Sequence, residues 1–298
     1  MSKKLLCYTE GNKGQLLKGG HSMKRAADFR AEARAALKGH WRLAVGVGFL
    51  AMVLGGIAGV GGLDVNFVMV EGNFQMTLDV FGQRLNPVEM MRNIGVGSAF
   101  AVWQYLSVAA ALVAIVRLIV GSFVGVGYMK FNLDLIDGEE GRLETLFRYI
   151  KQWGTMLAAV LLQTVYILGW TLLFIIPGLI AAYRYQLTGY ILAENPEMGA
   201  NDAITRSKEL MKGNKWRLFC LDFSFIGWEL LCSVPLYAEG FLVLKYFTGS
   251  EALAISLVLL LTIPLSIGFF FVRPYEEAAW ATFYRDIIAA PTEPDEAY

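Results

Sequence analysis

The feature that most limits what this 298-residue chain can fold into is a set of apolar runs of bilayer length. A helix needs about 20 mainly apolar residues to cross the hydrocarbon core of a membrane. Residues 43–62 and 99–127 meet that requirement, the second carrying one charge, Arg117. The stretch 155–193 is too long for one helix and contains Pro177-Gly178, a turn signal that also ends helices. It divides into spans at 155–175 and 178–193 joined by a tight hairpin, and 216–234 and 253–272 complete a set of six. None has the small-residue cleavage site of a secretory signal. The expected fold class is therefore an all-α membrane protein with about six transmembrane helices over residues 23–289.

Composition agrees with this and removes other classes. The chain is 56% hydrophobic and 17% charged, against about 45–50% and about 25% in soluble domains. Lys plus Arg and Asp plus Glu number 26 each, so the excess of cations that marks a nucleic-acid binder is missing. Cys7, Cys220 and Cys232 form no CxxC pair and no zinc-type cluster with histidine. Cys220 and Cys232, about 18 Å apart along one helix, cannot pair there. A disulfide scaffold and a metal centre are not expected.

The basic residues orient the spans. Six fall in 23–42, four in 128–154, five in 194–217 and two after 272, whereas the opposite side holds only Arg84, Arg92 and Lys245. This places both termini in the cytoplasm and the protein in a cytoplasmic membrane. Three basic stretches lead through a tryptophan into an apolar run: AALKGHWRLAV at Trp41, LFRYIKQWGTML at Trp153 and ELMKGNKWRLFCL at Trp216. Tryptophan and long cationic side chains suit the headgroup region, so Trp41, Trp153 and Trp216 are the expected interfacial anchors. The stretches suggest a threefold repeat of an interfacial helix plus a hairpin of spans. The first, with Phe29, Ala33, Ala36 and Leu37 against Arg30, Arg34 and Lys38, reads as an amphipathic helix lying on anionic lipid headgroups. The third has Asn201 or Asp202 as candidate N-cap, a thin stripe of Ile204, Leu210 and Met211, and Gly213 as its stop.

Three segments lie outside the spans. The loop 63–98 alternates with period two around a Gly-Asn turn and reads as a small external β-hairpin. Residues 290–298 are rich in Pro and acid and read as a disordered tail. Residues 1–22 are polar and aperiodic; codons for Lys18–Met23 can contain a bacterial ribosome-binding sequence, so Met23 is the expected start and 1–22 a disordered leader.

The charges inside spans are the expected functional feature: Arg117, Arg184, Asp222 and Glu229. Such charges are expensive in hydrocarbon and face the bundle interior or water. Their depths favour a Glu229–Arg117 ion pair, with Arg184 as second partner. GGIAGVGG (55–62) fits neither GxGxxG nor a P-loop, and Gly55/Gly59 and Gly121/Gly125 have the small-xxx-small spacing of close helix contacts. His40 has no second ligand in reach, and HExxH, GxSxG and Cys-His signatures are missing. No catalytic residue, metal or cofactor is expected.

The segments YILAENP, S-x-x-L-M-K-G-x-K and PY-x-x-A-x-x-x-FY, within 175–231 and 274–287, resemble the integral-membrane family catalogued as domain of unknown function 975. The resemblance extends over most of the chain after Met23 and implies a six-span bacterial membrane protein; it supplies no activity and no catalytic residues. The expected function is a non-enzymatic scaffold or modulator working through lipid and protein contacts. The competing expectation is a small-solute or lipid transporter with the intramembrane charges lining its path.

Overall fold

The computed structural model describes residues 24–56, 63–70, 73–80, 83–85, 99–246 and 267–289. The leader 1–22 with Met23, the end of the first expected span with Gly59, most of the span 253–272 and the tail 290–298 lie outside the described residues. In chain order the helices are α1 (Ala26–Leu37), α2 (Trp41–Val53), α3 (Ala99–Ile136), α4 (Trp153–Leu173), α5 (Ile175–Tyr185), α6 (Thr188–Glu194), α7 (Ala200–Leu210), α8 (Lys215–Phe223), α9 (Ile226–Tyr246) and α10 (Ile267–Ala289). Between α2 and α3 lies an antiparallel sheet of β1 (Leu63–Val70), β2 (Asn73–Val80) and β3 (Gln83–Leu85). Leu63 pairs with Val80, Val70 with Asn73, and Val80 with Gln83.

Three stretches among the described residues are long and apolar enough to cross a membrane: Val108–Ile136, Leu143–Leu173 and Lys215–Pro235. Trp41–Val53 is a shorter apolar helix. The first of the long stretches differs from the expected span 99–127, because α3 continues without a break to Ile136. Its last part is buried by protein, with Phe131, Leu133 and Asn132 inaccessible. The expected second half of the 155–193 hairpin is also corrected. The chain turns at Phe174, which is extended (φ −160°, ψ 147°), and Pro177 sits in the first turn of α5, where a missing N–H costs no bond. Gly178 lets the two helices touch, since a Cβ there would meet Thr171 Oγ1 at 2.1 Å. Residues 178–193 do not form one span: the helix ends at Tyr185 and restarts at Thr188, whose hydroxyl donates to the Tyr185 carbonyl at 2.8 Å.

Helices α2 and α3 meet through glycine. A Cβ on Gly121 would lie 2.2 Å from the Gly55 carbonyl oxygen, and one on Gly125 would lie 2.6 Å from that of Gly56. The Gly121/Gly125 spacing thus serves a backbone-to-backbone contact with Gly55 and Gly56, as such spacings do between apolar helices.

The molecule is polarised. The tip of the α4–α5 hairpin (Leu172, Phe174, Ile175) and the outer part of α3 (Val108 to Val116) expose large apolar side chains. Contiguous apolar surface of this extent needs an apolar medium or partner to cover it. At the other end α1, α6, α7, the start of α8 and the second half of α10 form a charged layer around a dense core of Phe29, Leu37, Tyr190, Met211, Leu218 and Phe283.

Three expectations about the basic stretches change here. The apolar stripe of α1 (Phe29, Ala33, Leu37) is fully buried, and Phe29 meets Phe283 of α10 edge-on at 5.4 Å. Helix α1 therefore does not lie with that stripe on lipid; protein covers the face first. The second repeat unit has no amphipathic α-helix: Leu143–Phe147 and Ile150–Gln152 are 3-10 turns. Gly127 explains part of this, because a Cβ there would come within 2.4 Å of the Leu146 carbonyl pressed against α3. In the third unit the N-cap is Gly199 rather than Asn201 or Asp202, and Gly213 (φ +81°) makes the stop. Cys220 and Cys232 are not joined to each other, and Cys232 is a free thiol.

Candidate functional site: the charged layer around the last helix

The second half of α10 reads RPYEEAAWATFYRD, and almost every polar side chain in it has a partner on an earlier element. Helical spacing sends Arg273, Glu277, Trp280 and Tyr284 down one side at i, i+4, i+7 and i+11, with Glu276 and Asp286 flanking. Arg273 Nη1 donates to Glu276 at 2.9 Å and its Nη2 lies 3.9 Å from Glu229 on α9. Trp280 Nε1 donates to Asp222 on α8 at 2.7 Å. Tyr284 donates its hydroxyl to Glu194 at 2.6 Å and stacks on Tyr190, ring centroids 5.4 Å apart. Arg285 bridges Glu194 and Asp137, its Nε 2.9 Å from Asp137 Oδ1. Arg217 of α8 pairs with Asp286 while its guanidinium lies 5.6 and 5.7 Å from the rings of Phe29 and Phe283. Lys24, ahead of α1, reaches Glu32 at 2.8 Å and Asp286 at 3.9 Å.

A buried charge is tolerated only when it is paired and its remaining donors and acceptors are met. Arg217, Arg273 and Arg285 meet the pairing condition, their fixed forks suiting carboxylates, while the Nε of Arg217 and of Arg273 is buried without a bond. Two carboxyls are less well served. Glu277 is 6% exposed and receives only the Tyr190 hydroxyl, at 3.4 Å. Burial pushes it up to about 8, helped by neighbouring Glu276 and opposed by Arg273. Glu276 is pushed up to about 7, again chiefly by burial, with Arg273 holding it back.

The four charges expected within spans do not form one cluster. Asp222 and Glu229 both lean towards α10, where Trp280 and Arg273 meet them. Arg117 Nη2 donates instead to the Met52 carbonyl of α2 at 3.2 Å, and Arg184, at the end of α5, offers its backbone carbonyl to Ser207 at 2.9 Å. The expected Glu229–Arg117 or Glu229–Arg184 pair is thus replaced by Glu229–Arg273. The reason is that span five is not one straight helix. It breaks at Ser224-Phe225, between α8 and α9, and α10 brings a nearer cation. Of the three anchors, Trp153 and Trp216 are exposed, Trp216 stacked on Phe219 at 5.0 Å. Trp41 is half-buried beside Phe271 and Tyr275.

Arg273, Glu276, Glu277 and Arg285 carried no expected role. One signal was available: four charged residues within thirteen positions, directly after an apolar run, are too many for a lipid-facing helix end. Among the described residues no group of His, Cys, Asp and Glu is placed to hold a metal ion.

These features define a class: a helical protein with apolar helices of membrane length rooted in a charged layer. The model of the family described as Protein of unknown function (DUF975) matches residues 171–291. The matched segment runs from the α4–α5 hairpin through α10 and holds Glu194, Arg217, Asp222, Glu229 and every α10 residue named above. No curated protein and no solved structure matches the chain.

Proposed function

We propose that the protein is a non-enzymatic scaffold or modulator of a bacterial cytoplasmic membrane, with about six spans, both termini and the charged layer on the cytoplasmic side, and anionic lipid headgroups among its partners. The single observation that supports this best is the pairing of Glu229 with Arg273. An intramembrane carboxylate held by a cation of its own chain is a structural tie between helices rather than a vacant stop on a path. The partners of Asp222, Asp286 and Arg285 fit the same reading, because each joins two elements of the layer. The positive-inside bias supports the side assignment, and a cysteine placed at Asn73 is expected to react with an impermeant thiol reagent from outside, one at Lys212 only after lysis.

A second reading, a small-solute or lipid transporter, draws on Glu276 and Glu277, adjacent buried carboxyls close to neutrality. Proteoliposomes holding an inside-negative potassium diffusion potential and a trapped pH dye separate the two. The scaffold expects proton entry no faster than in protein-free vesicles. Entry that depends on the protein and disappears in Glu277→Gln would replace it with the transport reading.

A further inference from the structure

A cavity of about 390 Å³ opens where α1, α2, α9 and α10 meet. Its polar end is formed by Arg30 and Arg34, one turn apart on α1; its walls are Trp41 of α2, Trp228 of α9, and Phe271 and Tyr275 of α10. We propose that it binds one anionic phospholipid, the phosphate between Arg30 and Arg34 and an acyl chain leaving along Trp228 and Phe271.

Charge is the first argument. Arg217, Arg273 and Arg285 of the layer each face a carboxylate. Arg30 and Arg34 face none among the described residues. Arg30 Nη1 reaches only the Ser224 carbonyl at 3.4 Å, and its Nε is buried without a partner. Arg34 Nε reaches only the Arg30 carbonyl, at 3.4 Å. Two neighbouring guanidinium groups without a counter-ion attract a phosphate, and their planar forks can hold it from two sides.

Position is the second. Trp41, Trp228 and Phe271 stand where α2, α9 and α10 leave the charged layer, the level at which an amphipathic ring meets headgroups. Beyond Trp228 the apolar surface continues through Leu231 and Val234, both exposed. A free phosphate would use only the arginine end; a phospholipid uses both. The volume suits a glycerophosphate head with the first carbons of a chain. The inference deepens the proposed function by naming the lipid contact, and rests on the chain being in a membrane.

The test uses the full chain in nanodiscs of phosphatidylcholine with phosphatidylglycerol as a minor component, and native mass spectrometry counts the lipids retained on release. The wild type is expected to retain one phosphatidylglycerol in preference to phosphatidylcholine, and millimolar inorganic phosphate is expected not to displace it. Arg34→Gln, whose side chain makes no bond across helices, should lower that preference about fivefold, the ratio for one cation near anionic lipid, and Arg30→Gln with Arg34→Gln further. Arg206→Gln, at an exposed pair with Glu209, should change nothing. Equal retention in Arg34→Gln and wild type, equal loss in Arg206→Gln, or displacement by phosphate overturns the lipid site. A chain that fails to enter the discs at all overturns the membrane reading, and the site with it.

Discussion

The indole of Trp280 and the carboxylate of Asp222 meet at 2.7 Å across the gap between α10 and α8. The contact joins α10 to α8, and with the Tyr183 hydroxyl it gives a half-buried acid its donors. Trp280→Phe keeps the ring volume roughly and removes the N–H. It is expected to destabilise the protein by about 1 kcal/mol, the net loss of one hydrogen bond, since Tyr183 still donates to the carboxylate. Thermal unfolding in detergent measures it, and an unchanged midpoint would show that Asp222 finds water or another donor.

Glu229 and Arg273 should be energetically coupled. A double-mutant cycle with Glu229→Gln and Arg273→Gln is expected to give a coupling of about 1 kcal/mol, modest because Glu229 is partly exposed. Arg273→Gln alone should cost more, about 3 kcal/mol, since Glu276 loses its cation too. The cycle of Glu229→Gln with Arg117→Gln should be additive; coupling there instead would restore the pairing expected from helix depth alone.

That contrast shows what could be read from the residues. Apolar length, the glycine contact of α2 with α3, the stop at Gly213 and the unusual standing of Asp222 and Glu229 were all legible, because each depends on local spacing or on burial cost. The partner of Glu229 was not, because it depends on where α10 returns, a long-range fact that depth arithmetic along straight helices omits. The same holds for α1. Its amphipathic stripe was visible, but whether lipid or Phe283 covers Phe29 is decided by tertiary packing. The break at residues 186–187 had no Gly or Pro to announce it; Thr188 closing on the Tyr185 carbonyl is a signal too short to stand out.

Stability should fall as pH rises. The folded state holds the Glu277 carboxyl near 8 and that of Glu276 near 7, above about 4.3 in an unfolded chain. Between these values the folded state binds more protons than the unfolded one, so the unfolding free energy decreases with pH. The loss begins above about pH 4.5 and is complete once both folded carboxyls have ionised, just above pH 8. Arg273 opposes the shift in both, and Asp222 and Glu229 add to that of Glu276. Unfolding midpoints of the wild type and Glu277→Gln from pH 5 to 9 are expected to diverge, with the flatter profile in the variant. Parallel profiles would mean that Glu277 is not the group responsible.

Gly121→Ala should disturb the contact between α2 and α3, because the added methyl would occupy the place of the Gly55 carbonyl. A backbone shift of this kind costs about 1–3 kcal/mol. Gly154→Ala, where a Cβ would meet nothing within 4 Å, is the control and should be neutral or slightly stabilising. Equal effects of the two would argue against the close approach.

Every described partner of α10 precedes it in the chain, from Lys24 to Glu229. During synthesis Asp137 and Glu194 are therefore made before Tyr284 and Arg285, which answer them, leave the ribosome. Until α10 arrives the nascent protein displays unanswered charge together with the uncovered ring of Phe29. A chain stalled before Arg273 is thereby marked as incomplete, a state for proteases and chaperones to recognise, and the late docking of one helix separates a finished molecule from an abandoned one.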